Sequence, residues 1–156
     1  MASNDAELTH LDAAGAARMV DVGHKPPLRR TAIASGFLVA AETTLDRVMV
    51  GDLPKGEALA VARIAGIQAA KSCDALIPLC HTLPLDSVAV AFDRTAANRL
   101  QVTATTTITA RTGVEMEALT AVSIALLTLW DMVKGIDSNL VIEGIRLLEK
   151  RKEPTT

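Results

Sequence analysis

Residues 88–108 carry the sequence VAVAFDRTAANRLQVTATTTI, in which apolar side chains alternate with small or polar ones. The alternation runs from Val88 to Phe92 and again from Leu100 to Ile108, with a period of two residues. This period is typical of strands that bury one face. Because the turn residues Ala96–Asn98 separate the two runs, the stretch predicts an antiparallel β-hairpin.

A further strand is predicted upstream, at Thr31–Ala41, where an uncharged segment alternates around Gly36. Residues 1–30, which precede it, show no periodicity and predict an irregular arm that Lys25–Pro27 interrupts with two prolines. This upstream strand gives the hairpin a third strand with which to form a sheet.

Two helices are predicted between that strand and the hairpin. Thr43–Met49 predicts a short helix, capped by its first two residues and ended by Gly51. Glu57–Cys73 predicts a longer helix that is apolar on nearly every side and should therefore be buried. Gly66 inside it costs about 1 kcal/mol relative to alanine, so close packing against a neighbouring backbone is expected. Asp74–Leu85, with two prolines, predicts a rigid loop.

Downstream of the hairpin, Val114–Lys134 predicts the longest helix, which Gly135 should end at the C′ position. Leu140–Leu148 predicts the last strand. The charged tail Glu149–Glu153 is predicted to fray, so residues 150–156 should lie outside the regular structure.

The predicted order is strand, two helices, hairpin, helix, strand. Merging the short helix into the first connection gives βαββαβ, the split βαβ or ferredoxin-like pattern. Residues 1–156 are therefore predicted to form a single α+β domain with a four-stranded antiparallel sheet and helices on one face. The other face should carry small apolar residues that need a cover, which predicts self-association.

Composition excludes several classes of protein. The chain has 156 residues and a net charge of −2, with 49% hydrophobic and 22% charged residues. That much apolar surface can offset chain entropy, so intrinsic disorder is excluded. The near-neutral charge and the scarcity of aromatic residues (2%) argue against a general nucleic-acid binder or a binder of anionic membranes.

The sequence also predicts a soluble, cytoplasmic protein. Residues 1–8 contain two acids and no Lys or Arg, unlike a secretory signal or a transit peptide. The longest interior stretch without charge, Ala118–Trp130, has thirteen residues, whereas a bilayer-spanning helix needs roughly 20. Cys73 and Cys80 are too few for a disulfide scaffold and are predicted to be reduced thiols.

Candidate chemistry lies where polar residues interrupt apolar stretches. There are three such places: Pro78–Leu83, Thr112–Glu117 and Asp131–Lys134. The first contains Cys80 and His81, the second contains two glutamates, and the third contains an aspartate and a lysine. Imidazole, carboxylate and ammonium groups are the usual acids and bases of catalysis.

Each place also has a purely structural interpretation. His81 could be a structural hydrogen-bonding residue, and the spacing of Cys80 from Cys73 matches no zinc site. Glutamates at a helix start interact favourably with the helix dipole. An aspartate and a lysine three residues apart could form an ordinary surface ion pair. The residues alone leave these alternatives open.

Helix geometry separates two of the three places. Glu117 and Asp131 are fourteen residues apart on one predicted helix, which corresponds to about 21 Å at 1.5 Å per residue. If both helix ends are functional, either there are two sites or one site is assembled across a subunit interface.

Six short motifs match one protein family. They are MVDV (Met19–Val22), KG (Lys55–Gly56), ARIAGIQAAK (Ala62–Lys71), LIPLCH (Leu76–His81), TGVEMEALTA (Thr112–Ala121) and DM-x-K (Asp131–Lys134). With them the chain resembles the molybdenum cofactor biosynthesis protein C family, the cyclic pyranopterin monophosphate synthases, from Leu8 to about Lys150. The two longest motifs are highly specific.

The resemblance implies a ferredoxin-like fold and a hexamer, a trimer of dimers with active sites at the dimer interfaces. It implies a lyase that converts 3′,8-cyclo-7,8-dihydroguanosine 5′-triphosphate to cyclic pyranopterin monophosphate and pyrophosphate, without redox chemistry. Such a reaction needs cations for the triphosphate, acids and bases for ring opening and closure, and hydrogen bonds to the pterin edge. The resemblance implies neither a tightly bound cofactor nor a metal site, although Mg²⁺ could accompany the triphosphate.

The resemblance also assigns roles to residues of this chain. Two lysines and an aspartate match catalytic positions: Lys55, Asp131 and Lys134. The matches to substrate-binding positions lie in the arm, the loop and the helix start: Lys25, Arg30, Leu79, Cys80, His81, Glu115, Met116 and Glu117. Among them, Glu115 is a supporting acid, and the two basic residues of the arm could meet phosphates.

The chain departs from the family pattern at three places. Thr82 follows His81 where the family usually has proline, and Val133 stands where the family often has cysteine. The family's C-terminal SGG-K-SG segment is absent, so one of Lys150–Lys152 would have to supply its cation. The altered tail and Thr82 favour an alternative, a catalytically weak paralogue that binds a purine or pterin nucleotide or pathway partners.

Overall fold

The structure, a computed structural model, describes residues 11–155. Within them it contains one four-stranded sheet and four helices. In chain order the elements are β1 (Leu28–Val39), α1 (Glu42–Val50), α2 (Ala58–Lys71), α3 (Cys73–Leu76), β2 (Ser87–Ala96), β3 (Arg99–Ala110), α4 (Glu115–Val133) and β4 (Val141–Glu153). The strands are antiparallel and lie in the order β2-β3-β1-β4. The predicted α+β ferredoxin-like fold is confirmed.

The predicted hairpin is formed by β2 and β3, and β3 pairs on its other side with β1. The register of β1 and β3 places Ala34 opposite Ala104 and Leu38 opposite Leu100. These even-numbered side chains are fully buried, and they belong to the core beneath α2 and α4. The two long helices therefore cover one face of the sheet, as predicted.

Gly66 lies where α2 packs against α4. A Cβ at Gly66 would lie 3.0 Å from the backbone oxygen of Ala121 and 3.3 Å from the Cβ of Ala125, so the predicted close packing is confirmed. The prediction that this helix is buried on nearly every side is wrong, since Val61 and Ile64 are 43% and 58% exposed. The buried positions of α2 form a stripe of small residues: Ala58, Ala62, Gly66, Ala69 and Ala70.

The cap of α1 differs from the prediction. Neither Thr43 nor Thr44 caps the helix with its own side chain. Instead, Oδ2 of Asp137 accepts hydrogen bonds from the backbone amide of Ala41 (2.8 Å) and from Thr44 Oγ1 (3.0 Å). Asp137 follows α4, so this cap is a tertiary contact that the local sequence does not contain. Gly51 ends α1 in the left-handed conformation (φ 73°), as predicted.

The helix α4 is one residue shorter at each end than predicted. Gly135 does not end it in a left-handed conformation, because Lys134 keeps helical angles and the Asp137 amide donates to the Val133 carbonyl (3.1 Å). Of the helices in residues 11–155, α4 alone is long and apolar enough to cross a membrane. Since 56% of its 18-residue window is buried inside the protein, it is the central helix of the core.

The predicted rigid loop at Asp74–Leu85 is helical in its first turn. The turn at Ser72 separates α2 from α3, which ends at Leu76. Residues 77–86 contain no helix or strand, as predicted. The loop therefore begins where α3 ends.

The outer ends of β1 and β4 extend beyond the predicted strands. β1 begins at Leu28, so the last residues of the predicted arm belong to the sheet. β4 continues through the segment predicted to fray, where Lys150 pairs with Ala32 and Glu153 pairs with Arg29. The prediction of a frayed tail is wrong because β1 gives this segment a backbone partner, and charged side chains suit an edge strand.

The open face of the sheet is mixed: Ile33, Phe37 and Val39 of β1 lie on it beside a row of threonines of β3. The odd-numbered side chains of Thr103–Thr109 lie on it. Nearby, the guanidinium carbon of Arg99 lies 3.8 Å from the ring centroid of Phe37, and Arg99 pairs with Glu143 of β4 (3.0 Å). The predicted apolar residues are therefore present on β1, but threonines and a charged pair accompany them, so this face alone does not establish self-association.

Candidate active site

The first turn of α4 carries the paired glutamates. Val114 precedes the helix, and its carbonyl accepts a hydrogen bond from the buried hydroxyl of Thr106 (3.0 Å), which fixes the helix start on β3. Glu115 and Glu117 follow, and Glu117 is only 4% exposed. Both carboxylates lie at the positive end of the helix dipole, where negative charge is stabilised.

A cavity of about 450 Å³ opens beside this turn. Its walls come from the arm before β1, the loop after α3 and the start of α4. The lining residues are Val20, Val22, Lys25, Leu79, Cys80, His81, Leu83, Thr112, Gly113, Glu115, Met116 and Glu117. The cavity thus brings together all the predicted substrate-binding residues except Arg30.

His81 is tied to the arm. Its Nε2–H donates to the backbone carbonyl of Val20 (2.8 Å). Because a carbonyl oxygen can only accept, Nε2 carries a proton, and in the neutral form of the ring Nδ1 is the acceptor. The next residue, Thr82, donates from its hydroxyl to Oδ2 of Asp74 (2.6 Å). Thr82, which departs from the family pattern, therefore joins the loop to α3 by a hydrogen bond.

The two glutamates of the cavity have opposite pKa shifts. Burial by itself would raise the pKa of Glu115 and is the largest single effect. The hydrogen bond from Lys150, a backbone hydrogen bond and the charges of Lys150 and Arg30 together outweigh it. The pKa of Glu115 is therefore lowered. Burial raises the pKa of Glu117, and the nearby negative charge of Glu115 adds to this effect. Of the two side chains, Glu117 holds a proton more readily.

The two cysteines are free thiols, as predicted. Cys80 lines the cavity, whereas Cys73 lies behind it with its sulfur 3.4 Å from the hydroxyl of Thr120. Burial raises the pKa of Cys73 to about 11 and also raises the pKa of Cys80. Both thiols are therefore protonated at neutral pH, unlike an activated nucleophile. Within residues 11–155, no three His, Cys, Asp or Glu side chains converge as a metal-binding group.

Arg30 lies outside the cavity wall. Its Nε donates to the carbonyl of Ala110 (2.9 Å) and its Nη2 donates to the carbonyl of Arg111 (3.0 Å), so the side chain is 8% exposed. These bonds hold the end of β3 in place. In this chain Arg30 therefore acts on the cavity indirectly, since its charge helps to lower the pKa of Glu115.

A second group of predicted residues, the lysine–aspartate cluster of Lys55, Asp131 and Lys134, meets at the end of α4. Lys55 Nζ lies 2.8 Å from one carboxylate oxygen of Asp131, and Lys134 Nζ lies 2.7 Å from the other. Hydrogen bonds from Lys134 and then Lys55 lower the pKa of Asp131 to about 2, so its carboxylate is ionised at neutral pH. The cluster therefore joins the end of α4 to a lysine that is 76 residues away in sequence.

The turn between α1 and α2 positions Lys55 in this cluster. Gly56 has the left-handed φ of 89°, and its amide donates to the carbonyl of Leu53 (3.0 Å). Leu53 is buried in the core, so the turn is anchored immediately before Lys55. Lys55 Nζ also donates to the backbone carbonyl of Asp131 (2.7 Å), which fixes its direction.

The cavity and the lysine–aspartate cluster lie at opposite ends of α4. Glu117 and Asp131 are separated by about 21 Å, given a rise of 1.5 Å per helical residue. One chain therefore brings the predicted substrate-binding residues together and the predicted catalytic residues together, but it keeps the two groups apart. The cluster side chains are 45%, 55% and 58% exposed, so they lie on the surface of the single chain.

Comparison with known proteins places the chain in a family, because residues 19–153 match the MoaC family. The chain belongs to the MoaC family. It is 57% identical over 145 residues to the cyclic pyranopterin monophosphate synthase of Novosphingobium aromaticivorans, covering 93% of this chain and 92% of that relative. Identity is 56% over 146 residues with the synthase of Chloroflexus aggregans (93% and 88% covered) and 51% over 150 residues with cyclic pyranopterin monophosphate synthase 3 of Mycobacterium tuberculosis (96% and 85% covered).

Sequence reasoning misses part of the cavity wall in this MoaC-family chain. Val20 and Val22 line the cavity, and their place in the MVDV motif was the available signal. The ion pair between Lys150 and Glu115 was also missed. The sequence indicated Lys150 as one of the cations of the tail. It did not show that the pairing of β4 with β1 brings this lysine to Glu115 at the start of α4.

Proposed function

We propose that this chain is a cyclic pyranopterin monophosphate synthase of molybdenum cofactor biosynthesis, a lyase. It converts 3′,8-cyclo-7,8-dihydroguanosine 5′-triphosphate to cyclic pyranopterin monophosphate and pyrophosphate. The observation that carries the proposal is the cavity at the start of α4, where the loop with His81, two glutamates and Lys25 meet in a chain of the MoaC family. Relatives that are more than half identical carry the name of this activity.

The cavity suits the guanine-derived part of the substrate. Carboxylates such as Glu115 and Glu117 accept hydrogen bonds from the N–H groups on the edge of such a ring. Glu115 stays ionised against Lys150, whereas the raised pKa of Glu117 suits that side chain to hold or exchange a proton. Nδ1 of His81 adds an acceptor, and Met116 adds an apolar wall.

The lysine–aspartate cluster supplies cations and proton-transfer groups. Two ammonium groups around one carboxylate leave a net charge of about +1, which attracts phosphate. With a pKa of about 2, Asp131 is too weak a base to take up a proton near neutral pH, so it orients the two lysines. Lys55 and Lys134 are then the groups that bind phosphate oxygens and transfer protons.

A second copy of the chain completes the active site. The cavity of one subunit would meet the lysine–aspartate cluster of its partner. The two groups could then act on one substrate even though about 21 Å separates them within a single chain. The exposure of the cluster supports this arrangement, because such a group acts more strongly once a partner excludes water from it. We extend the arrangement to a hexamer, a trimer of dimers, as the family resemblance implies.

The reaction requires no tightly bound cofactor, because it rearranges the substrate and cleaves a phosphate bond without a net redox change. Mg²⁺ enters with the triphosphate as part of the substrate. The two free thiols are typical of a reducing compartment, and we place the protein in the cytoplasm.

Incubation of the purified protein with the cyclised triphosphate tests the function. We expect cyclic pyranopterin monophosphate and pyrophosphate to appear in equal amounts, and an Asp131→Ala variant to form neither. Substrate binding without product would favour the alternative, a paralogue with weak catalysis, which the missing C-terminal glycine-rich segment suggests. Complementation of a strain that lacks the synthase repeats the test in cells.

A further inference from the structure

A second cavity of about 390 Å³ also has His81 in its wall. Four residues line both this cavity and the one at the start of α4: Val22, His81, Leu83 and Thr112. The two cavities therefore adjoin each other, and we treat them as two lobes of one groove whose common wall includes His81. We call the lobe with Glu115 and Glu117 the acidic lobe, and the lobe with Arg111 the arginine lobe.

The groove is electrically polar along its length. Two glutamates and Lys25 line the acidic lobe. Among the residues that the structure describes, Arg111 is the one Asp, Glu, Lys or Arg side chain that lines the arginine lobe. The hydroxyl groups of Thr109 and Thr112 add hydrogen-bond donors there. An anion is therefore stabilised in the arginine lobe and a donor-rich group in the acidic lobe.

Arg111 extends from a fixed backbone. The buried Arg30 binds the carbonyls of Ala110 and Arg111, and the amide of Thr109 donates to Oδ2 of Asp86 (2.8 Å). The guanidinium of Arg111 is exposed and has no hydrogen-bond or ion-pair partner between residues 11 and 155. It is therefore a positioned cation that a ligand can reach.

We propose that Arg111 binds the two terminal phosphates of the substrate, which leave as pyrophosphate, while the guanine-derived rings lie in the acidic lobe. This inference rests on the proposed function. The substrate is polar in the same sense as the groove, with N–H donors at one end and phosphates at the other. A guanidinium forms bidentate, charge-assisted hydrogen bonds with phosphate oxygens. The partner's lysine–aspartate cluster then acts on the phosphate that the product retains.

Pyrophosphate is the probe, and its binding to the full-length protein is measured by calorimetry. We expect Arg111→Gln to weaken pyrophosphate binding by roughly 10- to 100-fold, the range for hydrogen bonds to a charged group. The pyrophosphate affinity of Arg111→Lys should lie between those of the wild type and Arg111→Gln, because lysine keeps the charge but loses the bidentate geometry. Binding of cyclic pyranopterin monophosphate, which lacks those phosphates, should not change in either variant.

Arg63→Gln is the matched control, since Arg63 is an exposed arginine on α2 outside both lobes. Its pyrophosphate affinity should equal that of the wild type. The assignment is overturned if the wild type does not bind pyrophosphate, if Arg111→Gln binds it normally, or if that variant loses product affinity equally. A wild type that binds pyrophosphate through Arg111 but does not turn over the substrate contradicts the proposed function alone.

Discussion

The carboxylate of Asp131 divides its two oxygens between Lys55 and Lys134, so each lysine has a fixed direction. The pKa of Asp131, about 2, lies below the ordinary value of 3.8. Ion pairs with such a group are intact above the ordinary pKa and are lost as the pH falls through the lowered value. The lysine–aspartate cluster therefore keeps its charges throughout the neutral range and breaks only between about pH 4 and pH 2.

Replacing Lys134 with arginine separates charge from proton transfer. Arginine keeps the positive charge beside Asp131 but does not give up a proton readily. We expect Lys134→Arg to lose at least about 100-fold in turnover, the usual contribution of general acid–base catalysis. Arg146→Lys, a charge-conserving change at an exposed position of β4, is the control and should retain turnover. Normal turnover in Lys134→Arg would show that Lys134 contributes its charge and does not transfer a proton.

The opposite pKa shifts of Glu117 and Glu115 predict opposite effects on stability. A raised folded pKa means that the wild type loses stability as the pH rises through it. Glu117→Gln should therefore be more stable than the wild type near pH 8, by on the order of 1 kcal/mol, and the gain should vanish near pH 4. Glu115→Gln should instead be destabilised near neutral pH, because it loses the charged pair with Lys150.

Urea unfolding from pH 4 to pH 8, at a fixed protein concentration, measures both variants. A lower stability of Glu117→Gln at pH 8 would mean that the ionised side chain is well paired and that its pKa is not raised.

The sequence predicted the cavity residues well for a physical reason. His81 and its neighbours lie in one short loop, and Glu117 and its neighbours lie in one helical turn, so each set is already close along the chain. Arg30 lies in a strand, and its side chain is directed by the pairing of β1 with β3. Strand register depends on the whole sheet, so the hydrogen bonds of Arg30 to the end of β3 could not be predicted from the sequence.

The contact between α2 and α4 depends on Gly66. Valine there would force its Cβ to within 3.0 Å of the Ala121 carbonyl oxygen, which belongs to the backbone of α4. We expect Gly66→Val to destabilise the protein by roughly 1–3 kcal/mol, as overpacked cores do. Gln68→Val, at an exposed position of the same helix, is the control and should cost only about 0.5 kcal/mol through helix propensity. If denaturant unfolding shows equal losses of unfolding free energy in Gly66→Val and Gln68→Val, the close contact between α2 and α4 is contradicted.

The pairing of the C-terminal segment with β1 predicts what truncation does. A chain that ends at Glu149 loses the backbone pairs from Lys150 to Glu153 and the partner of Glu115. We expect a loss of roughly 2–4 kcal/mol in stability, at about 1 kcal/mol for each backbone hydrogen bond, together with weaker substrate binding. A chain that ends at Glu153 keeps every pair and serves as the control. A truncation at Glu149 that leaves stability unchanged would show that the tail is frayed after all.

Two corrections to the predicted elements have the same origin. The tail joins the sheet because β1 reaches Arg29, and Asp137 caps α1 because α4 ends beside it. In both cases the partner is distant in sequence, so local charge and propensity predicted fraying and a threonine cap. The alternation of the hairpin and the apolar length of α4 predicted their elements correctly, because those patterns record burial directly.

The proposed assembly of two chains into one active site rests on the position of the two groups of residues along α4. The argument from an apolar sheet face is weakened, since the odd-numbered threonines of β3 and charged residues such as Arg99 share that face with Ile33, Phe37 and Val39. What remains is the distance of about 21 Å between Glu117 and Asp131 and the exposure of the lysine–aspartate cluster. A shared site explains both observations.

Mixing two inactive variants tests this assembly most directly. Asp131→Ala lacks the cluster's carboxylate and Glu117→Ala lacks a cavity carboxylate, so every site in either pure protein is broken. In a mixed dimer, one of the two shared sites receives both intact groups. After subunit exchange of equal amounts, we predict about a quarter of the wild-type activity, because half of the dimers are mixed and each has one intact site. Confirmed exchange with no recovered activity would contradict the shared active site.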